Sequence, residues 1–486
     1  MGATRAPSNP SGGPSLMQKL TRTKSVETIL AETSDGSDGL KRSMGVVNLT
    51  MFSVGSIVGT GIFVILSVAV PEAGPAVLIS FILAGITCAF SALSYAEMAS
   101  TLPISGSSYS YTYATMGEGV AWVCGWCLML EYGVSVAAVS VGWGQYINEI
   151  FSLFGVTLPP ELALPPGQGG IVNIPAVVVV LMATFLLLRG ASESATVNTI
   201  LVFVKIGILF FFCAIAFVAF DAGNLMPFIP LGLGGITLAA SQVFFSFIGF
   251  DTAATASEEA KNPKRDLPRA IIASLIIVTV LYVMVALAAI AAKPWESFEG
   301  SGGDAVLAQI LQEVTGDAWP AAVLSIGAII SIFSVVLAVM YGQTRILFAM
   351  GRDGLLPSIF TKVNKKTQTP VPNTLIVASI ISVLAAFVPL ATLAEATSIG
   401  TLFAFMLVNI SVIILRRTKP DLPRGFKTPL FPITPILGVL FCAGLLLTLR
   451  ETTWITFAVW MTFGIIVYFT YGIKHSTLGR TGDAGR

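Results

Sequence analysis

The sequence is nearly devoid of histidine, with a single one, His475, among 486 residues. Its place close to the C-terminal end excludes histidine-based metal and acid–base centres. Charge is scarce too. Asp, Glu, Lys and Arg make up 11% of the chain against 55% hydrophobic residues, and the mean hydropathy is +0.84. That balance excludes a set of soluble domains and leaves an all-α polytopic membrane protein. A net charge of +1 gives no reason to expect an acidic partner, and nucleic acid is not expected. The five cysteines (Cys88, Cys124, Cys127, Cys213 and Cys442) all lie in apolar runs. Cys124-Gly-Trp-Cys127 spells a thioredoxin-type motif, but inside a membrane span and without a βαβ pattern, so these read as packing residues. No Walker sequence is present, and Gly59-Thr-Gly61 is not a dinucleotide fingerprint. Neither cofactor nor metal is expected, and coupling to ATP would need another subunit. No cluster of His, Cys or paired carboxylates suits catalysis, so an enzyme is not expected.

What the chain has in quantity is long apolar runs. Twelve can be read between turn and charge signals, at about 46–70, 75–100, 119–150, 172–189, 195–219, 235–257, 270–291, 320–350, 373–389, 394–416, 433–450 and 453–473. With both termini cytoplasmic, every one of the 27 Lys and Arg except Lys205, Lys293 and Arg450 falls on the inner side. This is the positive-inside pattern of a multi-pass protein of the plasma membrane. Residues 1–42 are rich in Ser, Gly, Thr and Pro and lack an apolar h-region, so they read as a disordered cytoplasmic tail rather than a signal peptide. Residues 474–486 read as a C-terminal tail. The outer loops 151–171 and 292–319 are too small for domains. The inner loop 351–372 reads as a short interfacial helix followed by a basic turn.

Two runs carry interruptions. Gly55-Ser-Ile-Val-Gly-Thr-Gly-Ile-Phe63 places three glycines and two hydroxyls in the first span. Such residues either break a helix or let two helices pack closely. Phe244-Phe-Ser-Phe-Ile-Gly-Phe-Asp251 interrupts the sixth span. Spans one and six are five apart and therefore run in opposite directions. Two five-helix halves, 43–219 and 235–416, each opening with a broken helix, form an inverted repeat, with 433–473 outside it. Such a pair of interruptions is the best sequence pointer to a transporter site at the midplane. A half-helix N-terminus suits a carboxylate and a half-helix C-terminus suits an ammonium. Together they suit an α-amino acid, though a small carboxylate or amine would also fit in part.

Three motifs carry a resemblance: Gly59-Thr-Gly-Ile-Phe63; Phe247-Ile-Gly-Phe-Asp251 with Glu258-Glu-Ala-Lys-Asn-Pro-Lys-Arg-Asp-Leu-Pro268; and Gln343-Thr-Arg-Ile-Leu-Phe-Ala-Met-Gly-Arg-Asp-Gly-Leu-Leu-Pro357. They resemble the amino acid–polyamine–organocation superfamily, and within it the cationic amino acid transporter branch, over roughly residues 40–475. The resemblance implies a LeuT-like fold with substrate between broken helices one and six. By that likeness Ile57, Gly59, Thr60 and Gly61 bind the backbone groups of the substrate, with Phe245, Ser246 and Ile248 across from them. Phe245 would cover the bound molecule and Tyr282 would close the pocket.

Charged groups deep in a span are costly and point to function. Lys205 lies about ten residues into span five, where apolar surroundings disfavour the charged form of an amine. It is the candidate carrier of a coupling proton, unless it snorkels to an interface. By resemblance it replaces the sodium ion of sodium-coupled relatives and faces the unwound backbone around Val58–Gly59, with Ser331 and Ser334 nearby. Glu131 and Asp251 could read a substrate side chain, pair within the protein or relay protons; Asp251 could also cap the second half-helix. Two ionised carboxylates beside one lysine favour a cationic cargo, whereas a bulky Val335 argues for a small neutral one. The expected function is proton-coupled import of amino acids by alternating access. The alternative is an exchanger in which Lys205 is a fixed counter-charge. The expected partners are an amino acid, protons and the lipid bilayer. A small accessory membrane subunit would leave no readable mark.

Overall fold

The computed structural model describes residues 15–26, 44–104, 106–190, 195–300, 305–364, 367 and 369–481. Among these residues the chain is helical throughout, with one isolated bridge between Met44 and Ala260 and no strand. Among the described residues nine helical runs are long and apolar enough to cross a membrane. Three shorter apolar helices, Ile174–Leu188, Val371–Phe387 and Ile433–Thr448, bring the apolar helices to twelve. They fall one for one on the twelve runs read from the sequence. Large apolar side chains such as Leu181, Phe203, Val280, Val383 and Val459 are exposed around the bundle. A soluble protein seldom presents that much apolar surface; here it faces lipid.

The packing follows a rule of five. The halves of spans one (Val46–Val64) and six (Gly232–Thr255) touch, span two (Val77–Thr101) packs on seven (Pro263–Ala292), and span three (Glu118–Leu153) packs on eight (Ala318–Arg352). Span four (Ile174–Leu188) packs on nine (Val371–Phe387). Span three also packs along span ten (Leu390–Thr418), so it runs through the middle of the bundle. At the end that carries most of the Lys and Arg, Glu97 of span two accepts two bonds from Arg416, at 2.7 and 2.6 Å. Arg424 lies 3.3 Å away, and the Thr428 amide donates to Glu97 at 2.7 Å. This paired cluster fastens the loop after span ten to span two. At the opposite end Arg450 joins Glu72 and, at 3.3 Å, Glu395, while Lys293 pairs with Glu313 at 2.7 Å.

Three features differ from the sequence reading. Within the expected disordered tail, residues 15–26 hold a defined path. Ser15 and Gln18 form a capping box, Arg22 lies 3.9 Å from Glu118, and Lys24 lies 3.5 Å from Asp353. Charge complementarity to the ends of spans three and eight is what orders this stretch. Residues 1–14 and 27–43 lie outside the described residues. Second, span eight continues unbroken to Arg352, so the interfacial helix expected after residue 351 is reduced to one turn, Ser358–Thr361. Third, a helix at Ser107–Thr115 fills the loop after span two. Its Ser- and Tyr-rich composition gave no apolar signal.

The five cysteines are buried and free, as packing residues are.

Candidate substrate site

Span one breaks where Gly59 turns its amide to Ile57 O, 2.8 Å away. In an uninterrupted helix that amide would donate to Gly55 O. The freed Gly55 carbonyl is taken by Lys205 Nζ at 2.8 Å. The lysine therefore meets span one one turn earlier than Val58–Gly59, at the carbonyl that the break leaves without an amide. It is 1% exposed, so it does not reach an interface. The Tyr282 hydroxyl donates to Ile57 O at 2.9 Å. Helix resumes at Thr60 with no side-chain cap on its first turn; the Thr60 side chain lies outside the described residues. Ser331 and Ser334 donate to carbonyls of their own helix, Gly327 O and Ser331 O.

Span six loses its α-helical ladder at a 3-10 turn, Phe244–Phe247, then passes through an extended Ile248 and resumes at Thr252–Thr255. Gly249 sits at φ +118°, in a region side chains avoid. A Cβ there would lie 2.9 Å from the Ser56 carbonyl carbon. The two breaks therefore meet backbone to backbone. Ser53 of span one donates to Phe250 O at 3.2 Å, across the same seam. Two other glycines set close approaches: a Cβ on Gly61 would lie 2.4 Å from Ser246 Cα, and one on Gly59 would lie 2.6 Å from Val335 Cγ2.

Between the breaks and span three lies a cavity of about 30 Å3. Of the residues singled out in the sequence, Ile57, Gly61, Glu131, Phe245, Ile248, Asp251 and Val335 line it. Gly59, Ser246, Tyr282 and Lys205 stand behind that wall. They hold the breaks in shape through Val335, Gly61, Ile57 O and Gly55 O respectively. Sequence reasoning missed Ser56, Tyr132, Ser135, Val139, Thr252 and Val339. Helical spacing carried a signal for three of them, since Ser135 and Val139 follow Glu131 by one and two turns and Val339 follows Val335 by one.

Glu131 and Asp251 are each 1% exposed. None of their four oxygens has a side-chain hydrogen-bond partner among the described residues; the backbone amides of Gly249 and Asp251 lie beside the Asp251 carboxylate. The Thr401 hydroxyl near Glu131 donates to its own helix at Thr397 O. Asp251 occupies the N-cap position of Thr252–Thr255 without a side-chain capping bond. The site thus presents apolar walls, an uncapped helix start and carboxylate oxygens without side-chain partners.

Two broken helices meeting at a buried cavity inside a bundle of apolar helices define a membrane carrier for a small solute. The chain belongs to the amino acid permease family, whose family model matches residues 44–471. It is 45% identical to the branched-chain amino acid permease BcaP of Bacillus subtilis, over 94% of this chain and 99% of that protein. It is 41% identical to the methylthioribose transporter of the same organism, over 96% and 100%. With the vacuolar cationic amino acid transporter 4 of Arabidopsis thaliana it shares 36% identity, over 83% and 68%. The family is one of transporters, and the chain is a multi-pass transporter rather than an enzyme.

Proposed function

We propose that this protein imports amino acids across the plasma membrane by proton-coupled alternating access, with Lys205 carrying the proton. The observation that carries the reading is the bond from Lys205 Nζ to Gly55 O, 2.8 Å long, at the carbonyl freed by the break in span one. An amine placed there senses the shape of the substrate-binding backbone, and its protonation can bias that shape. The substrate zwitterion is held by the backbone of Ile57–Gly61 and of Phe245–Ile248, and Phe245 covers it. The pairing of spans one to four with spans six to nine supports two inverted halves, 43–219 and 235–416, that rock about this site. Both termini are cytoplasmic, in keeping with the Lys and Arg distribution.

The cargo includes small aliphatic amino acids. Ile57, Val139, Ile248, Val335 and Val339 make the wall apolar, and the relative named for branched-chain amino acids supports this choice. Uptake of radiolabelled alanine, leucine, lysine and arginine into proteoliposomes, with and without an inward proton gradient, tests the reading. Accumulation of leucine driven by the gradient is expected. Uptake indifferent to the gradient but dependent on preloaded amino acid would favour the exchanger, in which the same lysine–carbonyl bond holds a permanent charge. Uptake of methylthioribose in place of any amino acid would defeat both.

A further inference from the structure

Four buried carboxylates elsewhere in this protein face cations. Glu97 faces Arg416 and Arg424, Glu118 faces Arg22, Asp353 faces Lys24, and Glu395 faces Arg450. Glu131 and Asp251 are different. They line one small cavity, and no cation or side-chain donor is hydrogen-bonded to their four oxygens among the described residues. Lys205, the cation at this depth, is turned to Gly55 O. The titratable groups facing the pair are Tyr95 of span two, Tyr111 of the helix Ser107–Thr115, and Tyr132, Cys124 and Cys127 of span three. All are neutral in their protonated forms. Two like charges buried side by side without a paired cation are costly.

We propose that Glu131 and Asp251 share one proton, and that this proton stands in for the positive side chain of a cationic substrate. When leucine binds, the proton stays and the side chain packs against a site of single negative charge. When arginine or lysine binds, its side-chain cation enters and the shared proton leaves, so the buried charge is the same in both complexes. One site then accepts neutral and cationic amino acids, and the two classes differ by one proton in binding stoichiometry.

This inference rests on the cavity being the amino acid site, and its test separates the two. Infrared difference spectra of the full-length protein in nanodiscs at neutral pH, with leucine and arginine as probes, read the carbonyl band of a protonated carboxyl group. A pH dye in weak buffer reads proton release. One such band is expected in the substrate-free protein, kept with leucine and lost with arginine as one proton appears in solution. Glu131→Gln or Asp251→Asn should each abolish the arginine-linked release. A substrate-free protein without the band overturns the shared proton. So does arginine binding with the same proton count as leucine, or a protein that binds leucine and not arginine at any pH. Failure to bind either amino acid refutes the substrate reading instead, and the band in the free protein still decides the pair.

Discussion

Replacing Lys205 by Met keeps the reach and apolar bulk of the side chain and deletes its ammonium. The 2.8 Å bond to Gly55 O disappears, and a carbonyl that the break has already deprived of its helical amide is left buried without this donor. Leaving such a group unsatisfied costs about 1–3 kcal/mol, which is about a 5- to 150-fold shift in the equilibrium of the broken, binding-competent span one. Leucine affinity of Lys205→Met, measured by equilibrium binding in detergent or nanodiscs, should therefore fall within that range. Gradient-driven accumulation in proteoliposomes should vanish altogether, because no amine remains to carry the proton. Counterflow at equal pH should survive, slowed in proportion to the affinity loss. Undiminished affinity would refute the assignment of the lysine to the freed carbonyl. Wild-type accumulation under a proton gradient would refute its coupling role, whatever happened to affinity.

Further outcomes follow from the packing. Gly61→Ala puts a Cβ 2.4 Å from the backbone of Ser246. Since backbone cannot rotate away, the overpacking cost of about 1–3 kcal/mol should appear as a binding loss that Ser246→Gly does not restore. Val335→Ala removes two methyl groups from the cavity wall. At about 0.8 kcal/mol per buried methylene, preference should move toward longer side chains by roughly fourfold for each added carbon, read from leucine-versus-alanine competition. Glu97→Gln leaves Arg416 and Arg424 without their carboxylate. Breaking a buried pair from one side costs about 3–5 kcal/mol, so thermal unfolding should shift down markedly while Arg416→Lys, which keeps a charge, should do less harm.

The sequence was read well where chemistry and periodicity coincide. Twelve apolar runs announced twelve helices, and glycines beside hydroxyls, recurring five spans apart, pointed to both breaks. Of the cavity lining, Glu131 and Asp251 were legible as charges inside a span and Gly61 as a glycine at a break, whereas Ile57, Phe245, Ile248 and Val335 were named through the family resemblance. Tyr282 and Lys205 were legible as unusual but not in their geometry. That Lys205 meets Gly55 O depends on where the Gly59 amide turns, and three glycines in a row of choices do not disclose which one bends. The docking of residues 15–26 was hidden for another reason. Its polar composition resembles disorder, and the acids that order it, Glu118 and Asp353, lie roughly a hundred or more residues away in the chain.

The contact of Gly249 with the Ser56 peptide has a genetic consequence. A side chain at 249 would collide with main-chain atoms of the other half, 2.9 Å from the carbonyl carbon, and no codon change can trim a main chain. In a selection for restored growth on the transported nutrient, a Gly249→Ala strain should yield reversions at that codon and few suppressors at any other. Val335, whose clash with a Cβ on Gly59 involves only side-chain atoms, should supply suppressors of Gly59→Ala in the ordinary way. Heredity would then distinguish the two seams of the site, one made of backbone on both sides and one made of backbone against a replaceable side chain.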